Sequence, residues 1–93
     1  MKIVINSDFG GFSLSEAAYE YLGLEWDGYG YKYSEYDKRA DHKLVECVER
    51  LGEAAASGRY ASLKVIEIPD GIEYEIQSYD GLESVHEKHR VWR

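Results

Sequence analysis

The sequence predicts an α+β fold, a small and mostly antiparallel sheet carrying two helices on one face, in the order β-α-loop-α-β-β-(β). Three observations predict it. A run of branched residues, Ile3-Val4-Ile5, opens the chain; two stretches place apolar residues at helical spacing; and two later apolar segments are punctuated by Asp-Gly turns.

Lys2 to Ser7 reads as a strand covered on both faces, because three branched residues follow one another without alternation, and it is expected at the centre of the sheet. Asp8-Phe9-Gly10-Gly11-Phe12 forms a glycine turn. Ser13-Leu14-Ser15-Glu16 then has the Ser-x-x-Glu spacing of a capping box, which starts a helix at Ser13. Leu14, Ala17, Ala18, Tyr21 and Leu22 form the apolar stripe of that helix, and Gly23 followed by Leu24 ends it with a glycine cap.

From Glu25 to Ala40 the pattern breaks into a long aromatic loop in which Trp26, Tyr29, Tyr31, Tyr33 and Tyr36 are interspersed with Gly28, Gly30 and charged residues. Tyr29, Tyr31 and Tyr33 alternate, so an extended backbone would project all three from one side. Asp41 caps a second helix with Leu44, Val45, Val48 and Leu51 as its stripe, ending either at Gly52 or at Ser57-Gly58.

Leu63 to Ile68 and Ile72 to Tyr79 are strands, and Pro69-Asp70-Gly71 between them predicts a hairpin. In the second strand Ile72, Tyr74 and Ile76 alternate with Glu73, Glu75 and Gln77, the pattern of a sheet with one wet face. Beyond Asp80-Gly81, residues 82 to 89 continue the meander as a third strand or form a terminal helix, with the strand preferred.

At 93 residues there is room for one core, hence one domain. The single cysteine, Cys47, falls within the second helix, so no intramolecular disulfide forms and a reducing compartment is expected. The N-terminal apolar run is too short for a secretory signal or a membrane span, and the expected location is the cytosol. A formal charge of -7 opposes non-specific nucleic-acid binding, which depends on clustered Lys and Arg.

Three groups of residues have the chemistry to form a site. The turn holding Gly10, Gly11 and Ser13 resembles a strand-to-helix bend that aims backbone N–H groups at an anion, although it matches neither a dinucleotide fingerprint nor a P-loop. Trp26, Tyr29, Tyr31 and Tyr33 offer flat rings for stacking on a ligand or partner, or alternatively cover an undersized core. The C-terminal group His86, Lys88, His89, Arg90 and Arg93, with Arg39 and Arg59, supplies positive charge for a phosphate or carboxylate, Arg39, Arg59, His89 and Arg90 being the expected ligand contacts, or else consists of solvated cations that protect strand edges.

Support for catalysis is thin. There is no His-Glu-x-x-His, no cysteine pair for zinc, and Cys47 is poorly placed for a thiolate, so neither metal nor cofactor is expected. The one acid/base pairing to test is Asp8 with His86 or His89, as in a small metal-independent hydrolase.

Lys2-Ile3-Val4-Ile5-Asn6, Gly10-Gly11-Phe12-Ser13-Leu14-Ser15 and the tail His86-Glu87-Lys88-His89-Arg90-Val91-Trp92 resemble a group of small proteins encoded by bacteriophages and prophages. With Gly58-Arg59-Tyr60-Ala61 and Ile68-Pro69-Asp70-Gly71 the likeness spans nearly the whole chain. It implies a phage setting, in the cytosol of a host cell, and assigns no reaction. Two binding roles follow as expectations. One is capture of a small anionic, nucleotide-like ligand, such as a host immune signal, between the glycine turn, the tyrosine loop and the arginines. The other is an anti-defence inhibitor or adaptor that binds a host protein through an acidic face. A small core and surplus aromatics are also compatible with a homo-oligomer.

Overall fold

A computed structural model describes residues 1–87 and 91–92. His89 and Arg90, two of the expected site residues, lie outside them. The elements are β1 (Lys2–Asn6), α1 (Glu16–Leu22), a 3-10 turn (Tyr36–Lys38), α2 (His42–Leu51), α3 (Glu53–Ala56), β2 (Leu63–Glu67), β3 (Glu75–Tyr79), β4 (Leu82–His86) and β5 (Val91–Trp92). The α+β class and the antiparallel pairing are as the sequence predicts. The strands, however, divide into two sheets, β1-β2 and β3-β4-β5.

The β1-β2 sheet is the middle of three layers. Val4, Leu63 and Val65 face the helices, packing with Leu14, Ala18, Tyr19, Leu44 and Val48. Ile3, Ile5, Ile66 and Ile68 face the other way, onto Ile76 and Val85 of the outer sheet. Alternate residues of a strand point to opposite faces, so an uninterrupted Ile-Val-Ile run is what a twice-covered strand requires. Ile3, Val4 and Ile5 are fully buried.

The expected hairpin at Asp70-Gly71 does not form, because β2 pairs with β1 and β3 with β4. Ile68 and Met1 extend the β1-β2 ladder by exchanging backbone hydrogen bonds, while Asp70 Oδ1 binds the N-terminal ammonium. The chain after Ile68 therefore crosses from one sheet to the other instead of folding back. The Asp-Gly hairpin is instead the second one: Tyr79 pairs with Leu82 across Asp80 and Gly81, whose φ values of 50° and 91° suit a two-residue turn.

The first helix begins later than its capping-box spacing predicts. Ser15, not Ser13, is the N-cap, accepting from the Ala18 N–H at 3.1 Å. Leu14 and Ser15 are held extended because their N–H groups donate to Gly30 O and Ala56 O. The buried face of α1 is accordingly Ala18, Tyr19 and half-buried Leu22, whereas Ala17 and Tyr21 are exposed. Gly23 and Leu24 close the helix as expected, their N–H groups returning to Glu20 O and Tyr19 O. Both suggested ends of the second helix are real: α2 stops at Gly52, and the separate turn α3 carries the chain to Ser57.

Close packing around the Asp80-Gly81 turn leaves no room for a side chain. A Cβ on Gly81 would lie 2.5 Å from both Gly11 N and Phe9 O, in a backbone conformation that already disfavours one. Gly81→Ala should therefore lower unfolding free energy by about 2 kcal/mol or more, and Gly71→Ala, at a similar φ in open space, by about 1 kcal/mol. Urea unfolding of the two variants checks this order.

Candidate functional site

Arg39 holds the centre of the region where ligand capture was expected. Only 1% exposed, it is the largest of the fully buried side chains. Its five N–H donors are all used: Nε and Nη2 donate to Ser34 O at 3.1 and 2.8 Å, Nη1 to Val4 O at 3.3 Å, and Nη1 and Nη2 to the two oxygens of Glu83 at 2.5 and 2.7 Å. The guanidinium also lies 3.9 Å from the centre of the Phe12 ring. Glu83 Oε1 accepts in addition from Asn6 N at 2.7 Å.

The pair closes the free edge of β1. Val4 N–H donates to Arg39 O, Val4 O accepts from Arg39 Nη1, and Asn6 N–H donates to Glu83. The outer edge of β2 is treated alike, with Val65 N–H on Glu53 Oε2 and Leu63 N–H on Ser57 Oγ. Side chains, together with the Arg39 main-chain carbonyl, replace the missing neighbouring strands, which is how β1 is buried without being central in a sheet. The Asn6 side chain adds a link between layers, bonding Asp8 O, Gly81 O and Ser62 N.

A shallow cavity of about 360 Å3 sits over this pair, lined by Gly11, Phe12, Ser34, Glu35, Tyr36, Arg39, Ser78, Gly81 and Glu83. The glycine turn, one end of the tyrosine loop and an arginine do meet here. As an anion site it is short of positive charge, because the one cation lining it among the described residues is neutralised by Glu83 and Glu35 adds a carboxylate. The guanidinium donors of Arg39 face inward, to Ser34, Val4 and Glu83.

The remaining expected residues among those described fall elsewhere. Gly10 lies so close to Tyr60 that a Cβ would be 2.0 Å from its carbonyl oxygen, and Arg59 covers the Tyr60 ring at 5.6 Å. Ser13 is buried against Gly58, bonding its N–H through Ser13 O. The glycine turn does not run directly into a helix, since Phe12 to Ser15 intervene, so no helix end is aimed at it.

The aromatic loop is not a strand, and its rings divide between the core and the surface. Trp26 packs edge-on against Tyr19, ring centres 5.0 Å apart, and Tyr33, at φ 66°, turns away from the predicted alternation to pack on the helix-side core. Tyr29 and Tyr31 do share a side: their rings stack at 6.0 Å and 14°, and they remain 70% and 59% exposed. Asp27 fixes the backbone beneath them, Oδ1 accepting from the N–H groups of Tyr29 and Gly30 at 2.8 and 2.9 Å. Its Oδ2 accepts from the Tyr19 hydroxyl at 3.0 Å, and that hydroxyl accepts from Lys32 N at 3.0 Å. Burial, more than any other influence, raises the Tyr19 pKa above its ordinary value.

Of the two expected catalytic arrangements, Asp8 with His86 is not assembled, and Asp8 with His89 involves a residue outside those described. Asp8 accepts from the N–H of Phe9. His86 pairs instead with Ser84, Oγ to Nε2 at 2.6 Å, a partner that the i, i+2 spacing on one strand could have revealed. Cys47 is buried, with its thiol pushed up to about 11 by desolvation, so it carries no thiolate at neutral pH. Among the described residues no group of three or more His, Cys, Asp or Glu is arranged to hold a metal ion, and no helix is long and apolar enough to cross a membrane. Compared with known protein families, curated proteins and solved structures, the chain matches none.

Asp27 ties loop geometry to pH. The Gly30 and Tyr29 N–H groups hold its carboxyl below the usual 3.8. A carboxylate whose folded pKa is depressed contributes stability above its unfolded value, lost as pH falls through the lower folded one. The Tyr29 and Gly30 amide NMR signals should therefore titrate together with a midpoint below 3.8, whereas a midpoint at or above it would contradict this anchoring.

Proposed function

We propose that this chain is a binding protein that docks on a basic protein surface through its acidic, tyrosine-bearing loop, residues 25 to 41. The observation that carries the reading is the Tyr29-Tyr31 stack, two largely exposed rings on a backbone held rigid by Asp27. Exposed apolar rings cost solvation, and rings ordered in advance lose little entropy on binding, which makes tyrosines effective interface anchors.

The charge around the stack selects the partner. Glu25, Asp27, Glu35, Asp37 and Asp41 are exposed on this loop against two exposed cations, Lys32 and Lys38, while Arg39 is withdrawn into its pair with Glu83. Lysine and arginine side chains of a partner would meet both carboxylates and ring faces there. The resemblance to small phage-encoded proteins makes a host protein the class of partner, and an inhibitor or adaptor the role.

A second reading, capture of a small anionic nucleotide, is favoured by one observation, the convergence of Gly11, Tyr36 and Arg39 around a single cavity. It requires Arg39 to release Glu83, at the cost of an unpaired buried carboxylate.

Titrating the isotope-labelled protein with an Arg-rich peptide, and separately with cyclic and ADP-ribose-type nucleotides, distinguishes the two. Docking predicts that the peptide shifts signals from residues 26 to 37, that binding weakens with rising salt, and that Tyr29→Ala and Tyr31→Ala each weaken it about tenfold. Shifts produced instead by a nucleotide at Gly11, Tyr36 and Glu83, with none from the peptide, would replace this reading with ligand capture.

A further inference from the structure

The outward face of the β3-β4 hairpin carries a polar arrangement that the docking reading does not use. The register opposes Tyr79 to Leu82, Gln77 to Ser84 and Glu75 to His86. Alternation puts these six side chains on one face, because Ile76 and Val85 occupy the other, buried against the middle sheet. Burial of that second face fixes the register, since a one-residue slip would turn Ile76 and Val85 out to water.

Within the row, Ser84 Oγ stands 2.6 Å from His86 Nε2, and Gln77 Nε2 donates to Glu75 Oε1 at 2.7 Å. His86 lines two hollows. One, of about 410 Å3, is bordered by Ser84 and Ser7 with Tyr79 and Leu82 as apolar wall. The other, of about 320 Å3, is bordered by Glu73, Glu75 and Glu87. A hydroxyl beside an apolar hollow with an imidazole nitrogen in contact with it is the pairing of nucleophile and base that activates a serine for acyl transfer.

We propose that Ser84 and His86 are a nucleophile and general base that accept the acyl group of a small carboxylic ester whose acyl chain rests on Tyr79 and Leu82. With its own proton on Nδ1, His86 has Nε2 free to receive the Ser84 hydroxyl proton as Oγ bonds to the ester carbonyl carbon. The carbon–oxygen bond to the alcohol then breaks, and His86 returns that proton to the departing oxygen. Water attacks the acyl-serine by the same route, its proton passing to His86 and then to Ser84 Oγ, which releases the carboxylic acid. No residue of loop 25–41 takes part, so this activity and the docking reading stand or fall separately.

The test is covalent labelling of the intact protein with p-nitrophenyl acetate and with a fluorophosphonate, followed by mass mapping. The expected result is one adduct per chain, on Ser84, absent from Ser84→Ala and formed at least about a hundredfold more slowly by His86→Gln. Thermal unfolding of both variants verifies the fold. A second variant, Ser84→Cys, should alkylate with iodoacetamide faster than Ser84→Cys/His86→Gln, which reports proton transfer to His86 without requiring the serine. Labelling spread over lysines and tyrosines, or equal rates with and without His86, would overturn the proposal.

Discussion

A two-stranded sheet placed between two layers has a problem that the rest of this fold is arranged around: its strands are buried, yet each has a backbone edge with no strand beside it. Buried N–H and C=O groups left unpaired cost on the order of 1–3 kcal/mol each. On the β1 side the solution is the Arg39-Glu83 pair. Arg39 contributes a carbonyl and a guanidinium N–H, and Glu83 a carboxylate oxygen, so that Val4 and Asn6 bond much as they would to a neighbouring strand. The same pair joins the end of the tyrosine loop to β4 of the outer sheet, through Ser34 and Glu83.

That structural role decides what the nearby surface offers. An arginine beside a cavity invites an anionic ligand, but one whose every N–H is already committed offers little to a phosphate. The loop of residues 25 to 41 consequently presents tyrosines and carboxylates with little compensating positive charge. Its rigidity comes from another internal arrangement, Asp27 beneath Tyr29 and Gly30 and in contact with the Tyr19 hydroxyl. An ordered, exposed pair of rings on an acidic loop is better suited to a protein partner than to a small anion.

The parts of this structure legible in the sequence are those set by local pattern. The buried Ile3-Val4-Ile5 run, the Gly23 cap, the Asp41 cap, and the inward set Ile72, Tyr74 and Ile76 follow from periodicity and turn chemistry. What was not legible depended on long-range choices. Two Asp-Gly turns carry the same local signal, and which one makes the hairpin depends on Ile68 pairing with Met1 at the far end of the chain. The stripe of α1 is rotated because Leu14 bonds the Gly30 carbonyl and stays extended. The burial of Arg39 was not legible, because its partner Glu83 lies 44 residues away. The Ser84-His86 contact was readable in principle, from two polar residues alternating on a strand.

The central claim, that the Arg39-Glu83 pair substitutes for a strand along β1, is tested most directly by native-state hydrogen exchange in Glu83→Gln and in Arg39→Met/Glu83→Met. The account predicts that Glu83→Gln speeds exchange of the Asn6 amide well beyond that of Val65, whose N–H is held by Glu53, and that the double variant stays folded with Asn6 unprotected and Val4, whose N–H bonds the Arg39 main-chain carbonyl, affected less. Unchanged protection of Val4 and Asn6 in both variants would show that β1 closes its edge by other means.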